Sequence, residues 1–304
     1  MTKKTTFTYQ NPHSSDVPGN LRDPQIINVN DRYYLTATSQ EYWKGNNPGI
    51  KLWSSDDLLN WRFEELLIDS STVPENAWYK DRFWAPEIHE SGGMFFLTFS
   101  CNKGIVDVDK FGVGIARASK ITGPYEIVSK EKPLVEESID GSLFSDDDGK
   151  HYIVVAAEEG LRLYEIELPS CRLISNPWVA AIRGEEGEWD YKGIEGPFII
   201  KRKGIYYQFY SSFTRGYEVG ILTAQNIRGP WSKYPSNPIL TSNMKIGHNC
   251  VFTGPDGRDW LAYHMHDKND VEKMAYDPMW VDENDDITTD APTNSEQKII
   301  IMNY

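Results

Sequence analysis

The feature that most constrains this chain is an internal repeat. Five segments align with one another without a gap. They are residues 22–35 (RDPQIINVNDRYYL), 84–97 (WAPEIHESGGMFFL), 140–153 (DGSLFSDDDGKHYI), 195–208 (EGPFIIKRKGIYYQ) and 248–261 (HNCVFTGPDGRDWL). Each runs from a polar or aromatic opening through a short apolar stretch and a Gly-, Asp- or Asn-rich turn into an aromatic strand, which is the punctuation of a β-hairpin. A second element lies between these hairpins. Residues 114–125 (GIARASKITGPY) align with 220–231 (GILTAQNIRGPW), and 49–61 (GIKLWSSDDLLNW) shows the same pattern with one extra residue. Two hairpins make about four strands per repeat. Five such sheets predict an all-β fold, a five-bladed β-propeller with four-stranded antiparallel blades around a central channel. A pair of β-sandwiches would not repeat one opening five times. With no helical periodicity and no linker, residues 1–304 are expected to form a single propeller domain. The polar stretch after Asp282 ends in Ile299, Ile300 and Ile301, which suits a returning strand, while the part of the segment around residues 9–12 in closing the ring stays open.

Charge narrows the partners. Against 31 Lys and Arg stand 45 Asp and Glu, a net −14 with histidine neutral. Such a surface repels phosphate backbones and anionic lipid, so neither nucleic acid nor membrane is an expected partner. No apolar run is long enough to span a bilayer. Residues 1–10 carry two lysines with no apolar run behind them and so do not read as a secretory signal. Cys101, Cys171 and Cys250 are odd in number and far apart, as reduced thiols would be. These features together predict a cytoplasmic protein. Aromatic residues make up 13% of the chain. Most are expected to pack sheets, and the same flat faces also stack on sugar rings.

The first strand of each propeller blade lines the axis, so equivalent openings ring one mouth of the channel. The repeat places Arg22, Trp84, Asp140, Glu195 and His248 there, with Asp23 one residue further in. Taken singly, Asp23 before Pro24 and Asp140 before Gly141 are ordinary turn formers. Together, three carboxylates, a histidine and an arginine are a poor way to build core, because buried charge is costly unless paired or used.

The set Arg22-Asp23-Pro24, Trp84-Ala85-Pro86-Glu87-Ile88, Ile139-Asp140-Gly141-Ser142, Glu195-Gly196-Pro197 and Gly247-His248-Asn249 resembles glycoside hydrolase family 43, in order and spacing, over about residues 10–290. That family consists of five-bladed propellers that hydrolyse plant-wall sugars with inversion. The resemblance implies Asp23 as general base, Glu195 as general acid, and Asp140 as the residue that orients the acid and tunes its pKa. Inversion needs two carboxyl groups roughly 6.5–9.5 Å apart with room for a water between base and sugar. The acid must be held protonated, which burial and a neighbouring carboxylate achieve.

Further roles follow from the same resemblance. His248 corresponds to an axial histidine beside a structural calcium in the central channel. Calcium prefers oxygen ligands, so a hydrogen-bonding role is the first expectation for His248 and metal ligation the second. Asp146-Asp147-Asp148-Gly149 looks like part of a calcium loop, but no Glu follows at the required offset, and it reads as a solvated turn. Trp84 is the expected sugar-stacking platform, with Phe144, Trp43 and Tyr217 as further aromatic candidates and Arg215 reaching substrate hydroxyls. Family members often carry an arginine in the final blade; here Val271-Glu272-Lys273-Met274 offers only lysine, and the two are not interchangeable.

The expected enzyme is a cofactor-independent glycosidase that releases terminal α-L-arabinofuranosyl or β-D-xylosyl units from oligosaccharides. Loops 39–47 and 102–110 decide between a pocket and an open cleft. The alternatives are an endo-acting arabinanase or xylanase, a galactan-side hydrolase, or a sugar-binding propeller without catalysis, which would be expected to lack one of the three carboxylates. Retaining sucrose- and fructan-active relatives would need an Asn-Asp-Pro motif and an acid in a Glu-Cys context, and an agarose-side relative would use a histidine as acid.

Overall fold

Each repeat folds as an antiparallel meander that starts at the axis and steps outward. The computed structural model describes residues 3–13, 17, 20–39, 47–102 and 111–303. The inner strands are Leu21–Val29, Asp81–Ser91, Ile139–Ser145, Glu195–Arg202 and Gly247–Thr253. The second strands are Arg32–Ser39, Met94–Asn102, His151–Ala157, Ile205–Ser212 and Asp259–His266. A third and an outer strand complete each blade, and in blades two and three the outer strand is broken into two pieces. The second strands are the most apolar because they are covered on both faces; in Met94–Asn102 every residue after Met94 is buried. Where the hairpin turns are tight, Asn30-Asp31, Gly92-Gly93 and Lys203-Gly204 all have positive φ at both central residues. That conformation matches the twist of the flanking strands.

The chain ends close the structure. Lys3–Tyr9 pairs antiparallel with Gln297–Asn303, so the expected returning strand exists but joins the N-terminal strand rather than a blade. Tyr9 packs against Trp260 at 5.3 Å between ring centroids, and its hydroxyl donates to Asp277 Oδ1 at 2.8 Å. The hydroxyl of Tyr276 donates to the Leu58 carbonyl at 2.9 Å, tying blade five to blade one. Among the described residues no helix is long and apolar enough to cross a membrane.

All five inner strands bulge at the same place. The register shifts between Arg22 and Gln25, Trp84 and Glu87, Ile139 and Ser142, Glu195 and Phe198, and Gly247 and Cys250. The second residue of each bulge, Asp23, Ala85, Asp140, Gly196 or His248, has φ between +42° and +59°. This corrects the sequence alignment by one residue in two repeats. The partners of Arg22, Trp84 and Glu195 are Ile139 and Gly247, whereas Asp140 and His248 match Asp23. The bulge sorts the ring into two layers. Arg22, Trp84 and Glu195 remain partly exposed at the mouth, while Asp23, Asp140 and His248 turn inward and are buried. A left-handed backbone costs an L-residue about 1–2 kcal/mol, so each non-glycine bulge needs compensation.

Candidate active site

Hydrogen bonds between blades provide it. In each second strand the residue opposite the bulge faces the next blade, and in four cases its side chain accepts that blade's bulge N–H. Ala85 N–H donates to Thr38 Oγ1 at 2.7 Å, Asp140 N–H to Ser100 Oγ at 2.7 Å, and His248 N–H to Ser211 Oγ at 2.8 Å. Asp23 N–H donates to His264 Nδ1 at 3.4 Å, completing the step from blade five to blade one. The remaining position is Ala156, which has no acceptor to offer. Here the Gly196 N–H donates to the carboxylate of Asp140 at 2.9 Å. The gap in the ring is thus what holds Asp140 against the residue next to Glu195.

The three carboxylates expected to carry chemistry, Asp23, Asp140 and Glu195, line one cavity of about 70 Å³ with Arg22, Thr38, Trp84, Ile139 and His248. Their environments differ. Burial alone would raise Asp23, but His248, Arg22 and His264, with the hydroxyl of Thr38 donating to Oδ2 at 2.6 Å, hold it below the usual carboxylate range. Burial dominates at Asp140, which is pushed up to about 7; His248 opposes this, while Glu195 and Asp23 add to it. Glu195 is also raised, first by burial, against a hydrogen bond from the Tyr217 hydroxyl and the charge of Arg22. One pocket therefore holds a carboxylate that stays ionised and a pair that shares a tendency to stay protonated.

His248 sits on the axis. Its Nδ1 is 3.4 Å from Asp23 Oδ1 and 3.7 Å from Asp140 Oδ2, and its Nε2 is 3.9 Å from Glu87 Oε1. Burial works against its charge, but these three carboxylates raise its pKa to about 10. Both ring nitrogens are turned to carboxylates. Among the described residues no group of three or more His, Cys, Asp or Glu side chains is placed to hold a metal ion. The geometry is that of a buried imidazolium clamping Asp23 and Asp140. Gly196 allows the close approach, since a Cβ there would come within 3.1 Å of the imidazole.

The other expected residues divide. Trp84 is in the pocket wall, stacked on Phe111 at 4.3 Å between centroids. Phe144 is not at the site: it lies at the far end of its inner strand, lining a cavity at the opposite mouth and packing on Tyr152 and Tyr206. Arg215 does not line the pocket, because its guanidinium forks onto both oxygens of Glu218 at 3.0 Å. Tyr217 is no open platform; its ring is buried, 5.0 Å from the ring of His264, and its hydroxyl is the donor to Glu195. Trp43 lies outside the described residues, as do most residues of the loops expected to shape the mouth. From the final blade it is Glu272, not Lys273, that reaches the site, 3.4 Å from Arg22. The acidic turn at Asp146 is a hairpin turn, pinned by Lys201 and the Tyr206 hydroxyl, both at 2.6 Å. Thr38, Ser100, Ser211 and His264 escaped the sequence reading, although they recur at one repeat position and that periodicity could have found them.

The family model for glycosyl hydrolases family 43 matches residues 9–279. The chain belongs to this family. It is therefore a glycosidase that hydrolyses O-glycosyl bonds of hemicellulose sugars with inversion. It is 31% identical to a beta-D-galactofuranosidase of Aspergillus niger over 84% of this chain and 77% of the relative. The crystal structure of a thermostable family-43 glycoside hydrolase superposes with a TM-score of 0.82 at 28% identity, covering 95% of this chain and 98% of the other. The chain spans about half the length of several other curated relatives. An extracellular exo-α-(1→5)-L-arabinofuranosidase of Streptomyces chartreusis is 28% identical over 86% of this chain and 84% of its own. A second extracellular enzyme of that type, from Cellvibrio japonicus, is 24% identical over 82% and 80%. These two overturn the cytoplasmic expectation. Its argument from cysteines was weak for a physical reason: all three thiols are buried and unpaired, so they cannot report on the redox state outside.

Proposed function

We propose that this family 43 member removes terminal α-L-arabinofuranosyl or β-D-xylosyl residues from oligosaccharides, with Asp23 as general base and Glu195 as general acid. The observation that carries this reading is the divergence of two carboxylates in one small pocket, Asp23 held low and Glu195 held high. In the proposed reaction Asp23 takes a proton from a water as that water attacks the anomeric carbon. Glu195 protonates the departing glycosidic oxygen on the other side of the sugar. Asp140, anchored on the Gly196 N–H, is coupled to Glu195, and burial leaves the pair holding protons more tightly than ordinary carboxyls. His248 keeps Asp23 ionised. Trp84 offers the aromatic wall for the sugar ring. Support for an exo mode comes from the relatives named above, which include two exo-acting arabinofuranosidases.

The test is hydrolysis of 4-nitrophenyl α-L-arabinofuranoside, 4-nitrophenyl β-D-xyloside and the corresponding oligosaccharides by wild type and Glu195→Ala. The variant is expected to lose about 10²–10⁴-fold on the oligosaccharides and less on the nitrophenyl substrates, whose leaving group needs little protonation. The faster wild-type substrate names the sugar. Equal losses on both kinds of leaving group would remove Glu195 from the acid role, and a wild type silent on every substrate would remove the exo-pentosidase reading.

A further inference from the structure

The cavity continues past Glu195. Ile139 and Glu195 also line a second, wider trough of about 690 Å³ that runs outward between blades three and four. Phe213 stands in its wall. The ring rests on the backbone of Gly193, where a Cβ would come within 2.7 Å of the ring's Cζ, and Gly193 is two residues before Glu195 in the chain. Phe213 is 43% exposed, a large apolar face left open beside the proposed acid. The rim carries exposed groups of both signs, Arg183 and Lys192 with Glu137 and Glu158.

We infer that this trough binds the leaving-group side of a neutral oligosaccharide, with Phe213 as the stacking platform for the sugar next to the cleaved bond. The inference rests on the glycosidase reading and deepens it. The oxygen that receives the proton of Glu195 belongs to the leaving group, so the rest of that group must extend on the Glu195 side, and the trough is the space continuous with the pocket there. Sugar C–H faces stack on an aromatic ring, and sugar hydroxyls both donate and accept. A rim of mixed charge serves such hydroxyls, whereas a uniformly charged ligand would be repelled by half of it. The enzyme should therefore favour substrates whose leaving group is itself a sugar chain.

The experiment compares kcat/KM on β-1,4-xylotriose and α-1,5-arabinotriose with kcat/KM on the matching glycosyl fluorides, whose one-atom leaving group does not reach the trough. For whichever sugar the wild type accepts, Phe213→Ala is expected to lower the trisaccharide value about tenfold more than the fluoride value, the size of one good aromatic contact. Phe213→Trp should restore most of that difference. Gly193→Ala, which unseats the ring without removing it, should fall between. Equal losses on both substrate types, or no loss on the trisaccharide, would overturn the inference. A wild type that cleaves fluorides but neither trisaccharide would overturn it while leaving the active-site reading intact. A wild type silent on all four would remove both.

Discussion

Tyr217 shows how one side chain can tune the proposed acid. Its place is bought by a glycine: a Cβ on Gly247 would lie 1.6 Å from the Tyr217 ring. Burial and the neighbouring Glu195 push its own pKa well up, so the hydroxyl remains a donor throughout the working range. A donor favours the carboxylate form of Glu195, as do Arg22 and His248, while burial and Asp23 favour the protonated form. The sign of a Tyr217→Phe exchange follows. Losing the donor raises the pKa of Glu195 further. Activity needs Glu195 protonated and is lost as pH rises through that value, so the alkaline limb of kcat/KM moves to higher pH. The acid limb, set by Asp23, stays. In the transition state the nascent carboxylate misses its partner, and kcat on unactivated oligosaccharides should drop about ten- to a hundredfold. A pH–rate profile of both proteins checks this. An unmoved alkaline limb would mean that the hydroxyl only packs.

The blade is the unit that places these groups, and its symmetry is most informative where it fails. Thr38, Ser100, Ser211 and His264 each accept a bulge N–H, and Ala156 does not. Ala156→Ser would supply the missing acceptor to Gly196 and compete with the Asp140 carboxylate. Released from its anchor, Asp140 would no longer be fixed beside Glu195, and kcat is expected to fall by about ten- to a hundredfold with little change in stability. Steady-state kinetics with a melting curve decide it; full activity would mean that Asp140 holds its position without Gly196. The same blades show what the sequence could convey. Four of the five openings are visible because Pro24, Pro86, Gly141 and Pro197 mark the same place just after the bulge. The slip at Asp140 and His248 arises because a bulge places two residues opposite one, and a gapless alignment cannot tell which of the two opens the strand. Phe144 was misassigned because aromatics along an inner strand look alike at either mouth of the channel. The Tyr217 contact was hidden for another reason: the residue precedes the third strand of its blade, outside the repeated opening that carried the rest of the site.

At the scale of the whole molecule, a ring of blades is only as firm as its last joint, and here that joint converges on Asp277. The carboxylate is fully buried on the third strand of blade five. It accepts from the Tyr9 hydroxyl at 2.8 Å, Asn11 Nδ2 at 3.1 Å, the Tyr263 hydroxyl at 2.6 Å, and the Thr293 hydroxyl and N–H at 2.6 and 3.0 Å. These donors come from before blade one, from blade five and from the segment after it, so a single side chain gathers both ends of the chain onto the closing blade. Asp277→Ala would leave several of these buried donors without a partner, at a cost of at least about 3 kcal/mol. Asp277→Asn, which keeps one acceptor oxygen, should cost less. If the joint governs the ring, both losses appear in the global unfolding midpoint in urea, and exchange of inner-strand amides in blades one and five accelerates together. If the terminal strands Lys3–Tyr9 and Gln297–Asn303 alone exchange faster while the midpoint stays put, the closure is a local strap and the ring stands without it.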